Sequence, residues 1–214
     1  MVLANMCQDK QYASFYASVE GFKILDNGAA EGAIVDTETL LSWAWALDVD
    51  EVVAPDVYDN MEGTLDALKR FMPFAKQVKV MVVLQSHSWP EFDIIMHEAI
   101  QQGASALALP RVMCKHMGPS ARVAAAALIR KETDLPIHCL GCTEHLREAK
   151  DLSRQGIVRG IDSSAPVVQG IAGLGLRDKY ADRPSDFFTG TFDSPKIGEN
   201  LDEFRRWCST PSPR

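Results

Sequence analysis

Short apolar segments recur along this chain about every 23 to 30 residues, and this spacing limits the folds that the chain can adopt. The segments are KILDNG from residue 23, EVVAPDV from 51, KVMVVLQS from 79, ALALPRV from 106, PIHCLGC from 136 and RGIDSS from 159. Nearly continuous apolar runs of this length are typical of strands that are buried on both faces of a parallel sheet. The intervals leave room for one helix after each strand.

Helical patterns with recognisable ends fill these intervals. The predicted helix starts are marked by Asp36, by Ser88 with Pro90, by Pro119 and by Thr143. Gly103 suits the end of the second of these helices, and Gly156 suits the end of the fourth. Strands that alternate with helices predict βα units and a parallel sheet.

The predicted fold is α/β, a compact (βα)8 barrel of the TIM type. VLANM (Val2–Met6) supplies a seventh strand, and an eighth is expected between Val167 and Phe192. With 214 residues the chain is short for such a barrel, which needs at least about 200, and an open doubly wound sheet is the alternative. We assign residues 1–208 to a single domain and residues 209–214 to a disordered tail.

The composition is that of an ordinary globular protein, with 46% hydrophobic and 24% charged residues. No apolar run is long enough to cross a bilayer and the first residues lack a secretion signal, so we expect a cytoplasmic protein without membrane contacts. Five cysteines, an odd number, indicate thiols rather than a disulfide framework. The net charge of −7 argues against a broadly basic surface, so any nucleic acid would have to bind a local basic patch.

Polar side chains follow the predicted strands at the points where the strands end. In a parallel barrel these carboxyl ends surround one mouth, and active sites lie there. The first polar residues after the six segments are Asp26, Asp56, Gln85, Arg111, Cys142 and Asp162. Because polar groups at such a mouth are costly unless they are paired or used, this set predicts a functional site.

The residue types at the mouth indicate a reaction class. Two carboxylates across a pocket suit displacement at an acetal carbon, since one can attack while the other moves a proton. An aspartate beside a glutamine suits recognition of a flat heterocycle, because the carboxylate accepts from ring N–H groups while the amide both donates and accepts. Glycosidic exchange on a nucleoside uses both arrangements. Arg111 and Lys115, close to a helix start, are candidate phosphate contacts.

Several of these residues also have structural interpretations. Asp162 can cap the next helix, and His87 can either reach the pocket or make only a structural hydrogen bond. HCLGCTEH (residues 138–145) superficially resembles a zinc site, although a thiol inside an apolar strand is more often simply buried. A metal-dependent hydrolase would need a cluster of His and Asp at the strand ends, and the sequence does not indicate one.

Four segments in register resemble motifs of the tRNA-guanine transglycosylases. Residues 137–166, IHCLGCTEHLREAKDLSRQGIVRGIDSSAP, resemble the family's signature, in which an L-M-G-type strand and a helix with a G-I-D step lead to the nucleophilic Asp. Asp162 matches that nucleophile, with a proline four residues later at Pro166, although Val158 takes the place of the D in G-I-D. KILDNGA resembles the I-L-T-D-S-G-G stretch around Asp26, APDVYDN resembles F-D-E-C-T around Asp56, and VVLQSHS resembles the V-Q-G strand end at Gln85. The matches keep their order over residues 20–168.

The resemblance implies a role for each matched residue. Asp162 would be the nucleophile and Asp26 the general acid and base, while Asp56 and Gln85 would bind the base. The substrate-binding set is completed by Leu109 and Pro110, which stand where the family has a Gly-Gly step, and by Gly141 at a strand end similar to the family's L-M-G.

The chain also departs from the family. It lacks the zinc-binding C-terminal subdomain, and Val167-Val168 replaces the Thr-Arg after the proline. It resembles better the small phage and bacterial relatives that exchange guanine in DNA for a 7-deazaguanine such as preQ0. The implied partners are DNA, the base and a possible second copy or partner subunit; no metal or cofactor is expected. The alternatives are the same exchange on tRNA and a catalytically silent, base-binding barrel.

Overall fold

The computed structural model describes residues 1–141, 148, 151–153 and 156–209. Seven strands form one sheet in which every pair is parallel and the strand order follows the chain. The strands are β1 (Val2–Leu3), β2 (Ile24–Asp26), β3 (Glu51–Val53), β4 (Val80–Val83), β5 (Ala106–Pro110), β6 (Ile137–Leu140) and β7 (Gly160–Ile161). The parallel βα architecture predicted from the spacing is therefore confirmed.

Helices connect the strands on the outside of the sheet. Those within the described residues are α1 (Lys10–Ser18), α2 (Thr37–Ala46), α3 (Met61–Phe71), α4 (Trp89–Gln101), α5 (Val112–Met117), α6 (Ala121–Glu132), α7 (Ala165–Ile171) and α8 (Pro195–Ser209). Short 3₁₀ turns cover Ala4–Gln8 and Ala29–Glu31, and Glu148 and residues 151–153 are helical. None of the described helices is both long enough and apolar enough to span a bilayer.

Helix capping follows the sequence closely. The Asp36 side chain accepts from the Thr39 N–H at 2.8 Å, and Ser88 caps α4 as predicted. Gly103, after the end of α4, has φ 88°, a conformation that costs glycine little. Thr143 lies outside the described residues. The last helix begins at Pro195 and includes Ser209, the first residue of the predicted tail; the rest of that tail, 210–214, is outside the described residues.

The two faces of the sheet bury different sets of side chains, because successive side chains in a strand point to opposite faces. The outward set packs against the helices in the larger core and includes Leu25, Val52, Val82, Leu107 and Cys139. The inward set forms a second, smaller cluster, made of Ile24, Val53, Met81, Val83, Ala106 and Ala108, with Leu140 packed against it. A sheet that is buried on both faces without a second layer of helices must curl around its own interior.

An ion pair across the interior requires the same curvature. Arg159, just before β7, donates through both terminal nitrogens to the Glu51 carboxylate on β3, at 2.6 and 3.2 Å. In a flat sheet β7 and β3, four strands apart, would be separated by about 19 Å. Two side chains cannot span that distance, so the sheet curls until the two strands face each other, as in part of a TIM barrel.

The barrel is not closed, and the expected eighth strand is wrong. Residues 167–192 are all described, and they form most of α7 followed by turns. Pro166 in the first turn of α7 starts a helix there, and Gly173, Pro184 and Gly190 interrupt any extended run afterwards. Within the described residues β1 and β7 are the edges of the sheet and do not pair with each other.

Candidate active site

The carboxyl ends of β2, β3 and β4 bring three of the predicted residues together. Asp26 is the last residue of β2, while Asp56 and Gln85 lie just after β3 and β4. The Gln85 amide donates to one Asp56 oxygen at 2.7 Å, and the Asn27 amide donates to the other at 2.7 Å. Neither Asp56 nor Gln85 exposes more than 6% of its surface. The predicted association of this aspartate with this glutamine is thus present in the fold.

Asn27 is the member of this network that the sequence did not single out. Its side chain is fully buried, and besides Asp56 its amide nitrogen donates to the Ala54 carbonyl at 2.7 Å. Its amide oxygen accepts from the Ala29 N–H at 2.7 Å, so all its polar groups have partners. Burial raises the pKa of Asp56, while the Asn27 and Gln85 hydrogen bonds oppose that rise. The network holds the Asp56 carboxylate in one orientation.

Asp26 occupies an environment that disfavours its charge. Burial raises its pKa from 3.8 to about 7, and the charges of Glu31, Asp56 and Asp162 add to the rise. One hydrogen bond, from the Gly28 N–H at 3.3 Å, works in the opposite direction. A carboxyl group with a pKa near 7 can both give and take a proton at neutral pH, as general acid and base catalysis needs.

Asp162 follows β7 and turns back toward the end of β6. The Gly141 N–H lies 3.2 Å from both of its carboxylate oxygens, and His138 Nε2 lies 3.3 Å from one of them. The side chain remains 34% exposed. The interpretation of Asp162 as a helix cap is wrong, because the residue preceding α7 is Ser164 and no side-chain cap bond is formed there. The carboxylate is instead positioned at the mouth of the sheet.

His138 is a second residue whose position the sequence did not reveal. It points into the interior of the sheet, where Gly160 leaves space for it: a Cβ at Gly160 would come within 2.7 Å of its Nδ1. No partner for that buried Nδ1 is present among the described residues. Cys139 points to the opposite face, and burial raises its pKa to about 12, so these two residues do not share a metal. Residues 142–145 of the zinc-like motif lie outside the described residues.

A buried arginine supports the end of β6. Arg122 of α6 is 1% exposed, and it donates to the carbonyl of Leu140, the residue before Gly141, at 2.5 Å. Its guanidinium also binds both carboxylate oxygens of Glu148. Because Gly141 orients Asp162, this ion pair helps to fix the strand end that positions the predicted nucleophile. An arginine inside an Ala-rich helical pattern gave no sequence signal of this role.

The remaining predicted residues lie around β5. Leu109 is fully buried on the outward face, so only its backbone can approach a ligand, whereas Pro110 ends the strand. Arg111 precedes α5 at an exposed position, with its Cβ near Gly141. Lys115 places its ammonium 3.5 Å from Asp59 Oδ2. The two candidate phosphate contacts therefore lie at the rim, and Lys115 has an acidic neighbour there.

A cluster of His and Asp does lie at the strand ends, contrary to the expectation from the sequence. Asp59, His87 and His116 follow β3, β4 and β5, and their ligand atoms lie within 4.8 Å of one another. His87 Nε2 is 2.7 Å and His116 Nε2 is 2.8 Å from Asp59 Oδ1. None of the three is the first polar residue after its strand; each lies beyond Asp56, Gln85 or Arg111, and only His87 was expected to reach the pocket.

Comparison with known proteins does not assign this chain to a family. No profile of a known protein family matches the chain, and no curated protein is significantly similar to it in sequence. The resemblance to the transglycosylases rests on the motifs quoted above and stays a prediction.

Proposed function

We propose that this chain exchanges guanine in DNA for a 7-deazaguanine base of the preQ0 type, as a pentosyltransferase built on an incomplete TIM barrel. The observation that carries the proposal is the pair Asp26 and Asp162. The pKa of Asp26 is about 7 and is raised in part by the charge of Asp162, while Asp162 is partly exposed and oriented by Gly141. Two carboxyl groups in such different environments suit the roles of acid/base and nucleophile.

The base would be recognised by Asp56 and Gln85. Each Asp56 oxygen accepts one hydrogen bond within the protein and can accept another from a ring N–H or exocyclic amino group of guanine. Because Asn27 and Gln85 already fix the carboxylate, little side-chain entropy remains to be lost on binding. Guanine and a 7-deazaguanine share the edge that carries these donors, so one site serves the leaving and the entering base.

The exchange would take two displacements at C1′ of the nucleoside. Asp162 forms a bond to C1′ as the bond from C1′ to the base nitrogen breaks, and Asp26 gives its proton to the departing guanine. Asp26 then removes the proton from the entering 7-deazaguanine, whose nitrogen displaces Asp162 from C1′. Two inversions give net retention of configuration, as in retaining glycosidases. The proton returns to Asp26, so the cycle is balanced.

DNA is preferred to tRNA because Val167-Val168 stands where the tRNA enzymes have Thr-Arg after the proline. A base inside a duplex has to leave the stack to reach the mouth, at a cost of about a few kcal/mol. Because 29 acidic residues outnumber 22 Lys and Arg residues, the chain as a whole gains little from the phosphates to offset that cost. A single-stranded substrate would avoid the cost of unstacking, and a basic partner subunit would offset it through contacts with the phosphates.

The test is incorporation of radiolabelled guanine and of preQ0 into DNA and tRNA, measured in parallel. Incorporation into DNA alone is expected, with a loss of at least about 10⁴-fold in Asp162→Ala, which removes the nucleophile. Asp26→Asn should lose about 10²- to 10⁴-fold, the usual contribution of a general acid and base. Asp93→Asn, an exposed position on α4, is the matched control and should retain full activity. A covalent complex of protein and DNA that survives denaturation in wild type and is absent in Asp162→Ala would identify the nucleophile.

Two other outcomes would overturn the proposal. Incorporation into tRNA would keep the chemistry and change the substrate. Absence of incorporation into either nucleic acid, with guanine still bound, would favour a silent base-binding barrel that supports a partner subunit.

A further inference from the structure

Three side chains from three different βα connections meet at the rim of the mouth. Asp59 lies in the loop after β3, His87 in the loop after β4, and His116 in α5, which follows β5. Both imidazoles direct Nε2 to the same carboxylate oxygen, at 2.7 and 2.8 Å, and the two rings are in contact, with their centroids 4.2 Å apart and their planes tilted by 38°. Side chains that are far apart in the sequence thus present three donor atoms to one point.

We propose that Asp59, His87 and His116 bind a divalent transition-metal ion of the zinc type. Two imidazole nitrogens with one carboxylate oxygen form a ligand set that zinc uses in catalytic sites, where a fourth position is left to water or substrate. The side chains are 25%, 38% and 26% exposed, so an ion can enter from solvent.

The geometry fits an ion after a small movement. At bond lengths of about 2.0 to 2.2 Å, neighbouring ligand atoms in a tetrahedral site are about 3.4 Å apart. The present contacts to Asp59 Oδ1 are shorter by about 0.6 Å, as direct hydrogen bonds are. Partly exposed side chains outside the core can separate by that amount through small changes in their torsion angles. Asp59 Oδ2 lies 3.5 Å from the Lys115 ammonium, so Oδ1 is the oxygen available to the ion.

The ion would connect the cluster of Asp59, His87 and His116 to Asp56 and Gln85, the proposed base-binding residues. The Asp59 backbone N–H donates to Gln85 Oε1 at 3.3 Å, and Gln85 in turn binds Asp56. A metal bound to Asp59 would therefore fix the loop that orients Gln85. This inference does not depend on base exchange, since it concerns the affinity for an ion and uses neither Asp26 nor Asp162.

Metal binding to the full-length chain, after treatment with a chelator, tests the proposal. Co²⁺ is titrated by its visible absorption and Zn²⁺ by calorimetry. One ion per chain is expected, and His87→Ala/His116→Ala should weaken binding by at least about tenfold, because even the loss of a residue that only supports a ligand costs 10- to 100-fold. The matched control is His97→Ala, an exposed histidine on α4 that bonds only within its own helix and should bind as wild type does.

Two results would overturn the proposal. Equal affinity of the wild type and the His87→Ala/His116→Ala variant would show that the ion binds elsewhere, and a thiolate-to-cobalt charge-transfer band would point to the cysteines. If the wild type binds neither Co²⁺ nor Zn²⁺, the three side chains form only a hydrogen-bonded cluster. Asp162→Ala, which should abolish base exchange, should bind the ion with unchanged affinity, so failure of the exchange and failure of the metal site are distinguishable.

Discussion

The two ends of the curled sheet bury acidic groups in opposite ways. At the amino end, Glu51 is 2% exposed but carries a guanidinium, Arg159, on both of its oxygens. At the carboxyl end, no cation pairs with the half-buried carboxyl group of Asp26 among the residues that the structure describes, and its pKa rises to about 7. A buried carboxylate that is fully paired stabilises an architecture, whereas one left without a cation is ready to exchange a proton. The difference separates the structural end of the molecule from its candidate reactive end.

Breaking the ion pair at the amino end should have the largest effect on stability. Arg159→Leu leaves the Glu51 carboxylate buried without a partner, and the loss of one partner of a buried pair costs about 3 to 5 kcal/mol of unfolding free energy. Urea denaturation measures the loss. Glu51→Met/Arg159→Leu removes both charges and should recover most of it. If the double variant is no more stable than the single one, the pair does not explain the stability of this end.

Replacing Asp26 by a neutral residue should raise the free energy of unfolding, whereas Arg159→Leu lowers it. Between pH 3.8 and about 7, Asp26 binds more protons in the folded chain than in the unfolded chain, so its contribution to stability falls as the pH rises through this range. Asp26→Asn should therefore gain about 2 to 4 kcal/mol over the wild type at pH 8, from that difference in pKa, and nothing near pH 3.

The control for this variant is Asp36→Asn, measured at the same two pH values. Asp36 is an exposed helix cap whose pKa is lowered by its hydrogen bonds to Thr39, and asparagine caps a helix as well as aspartate does. It should not gain stability at pH 8. A gain by Asp36→Asn equal to that of Asp26→Asn would refute the assignment.

The same pKa sets the pH dependence of base exchange. The departing guanine needs Asp26 protonated, and above about pH 7 that form declines tenfold for each pH unit. The rate of the first displacement should fall accordingly, which single-turnover release of labelled guanine from DNA can measure. A rate that stays level from pH 6 to pH 9 would exclude Asp26 as the acid.

The smallest expected effect on stability is that of Gly160→Ala, in the interior of the sheet between its two ends. A methyl group at Gly160 would press on the His138 ring, and overpacking of this kind costs about 1 to 3 kcal/mol. Gly160→Ala should lower the melting temperature and slow exchange, since His138 contacts Asp162. Gly198→Ala is the control: it meets nothing within 4 Å inside α8 and should be neutral or stabilising by up to about 1 kcal/mol. Equal behaviour of the two variants would argue against a tightly packed interior.

The strands and several helix ends could be predicted because they depend on local patterns. Asp36, Ser88 and Gly103 act within a few residues of their own position, and the apolar runs identify strands whatever their neighbours are. The eighth strand could not be judged in this way, because the helix after Pro166 and the turns that follow leave a short chain without a further extended segment.

The same distinction between local patterns and distant contacts applies to the residues at the site. Asp26, Asp56, Gln85 and Asp162 could be found because each follows its strand directly. Asn27, His138 and Arg122 could not, since their roles depend on contacts with residues that are distant in the chain. The cluster of Asp59, His87 and His116 needs three βα connections to converge, and no spacing within one segment encodes that.

The incomplete barrel also bears on how the chain avoids association with others. An open sheet presents unpaired backbone N–H and C=O groups along its edges, and long edges invite strands from other molecules to add to the sheet. Here both edge strands, β1 and β7, are only two residues long. Edges this short offer few groups to an incoming strand, so the gap in the barrel does not create a template for aggregation.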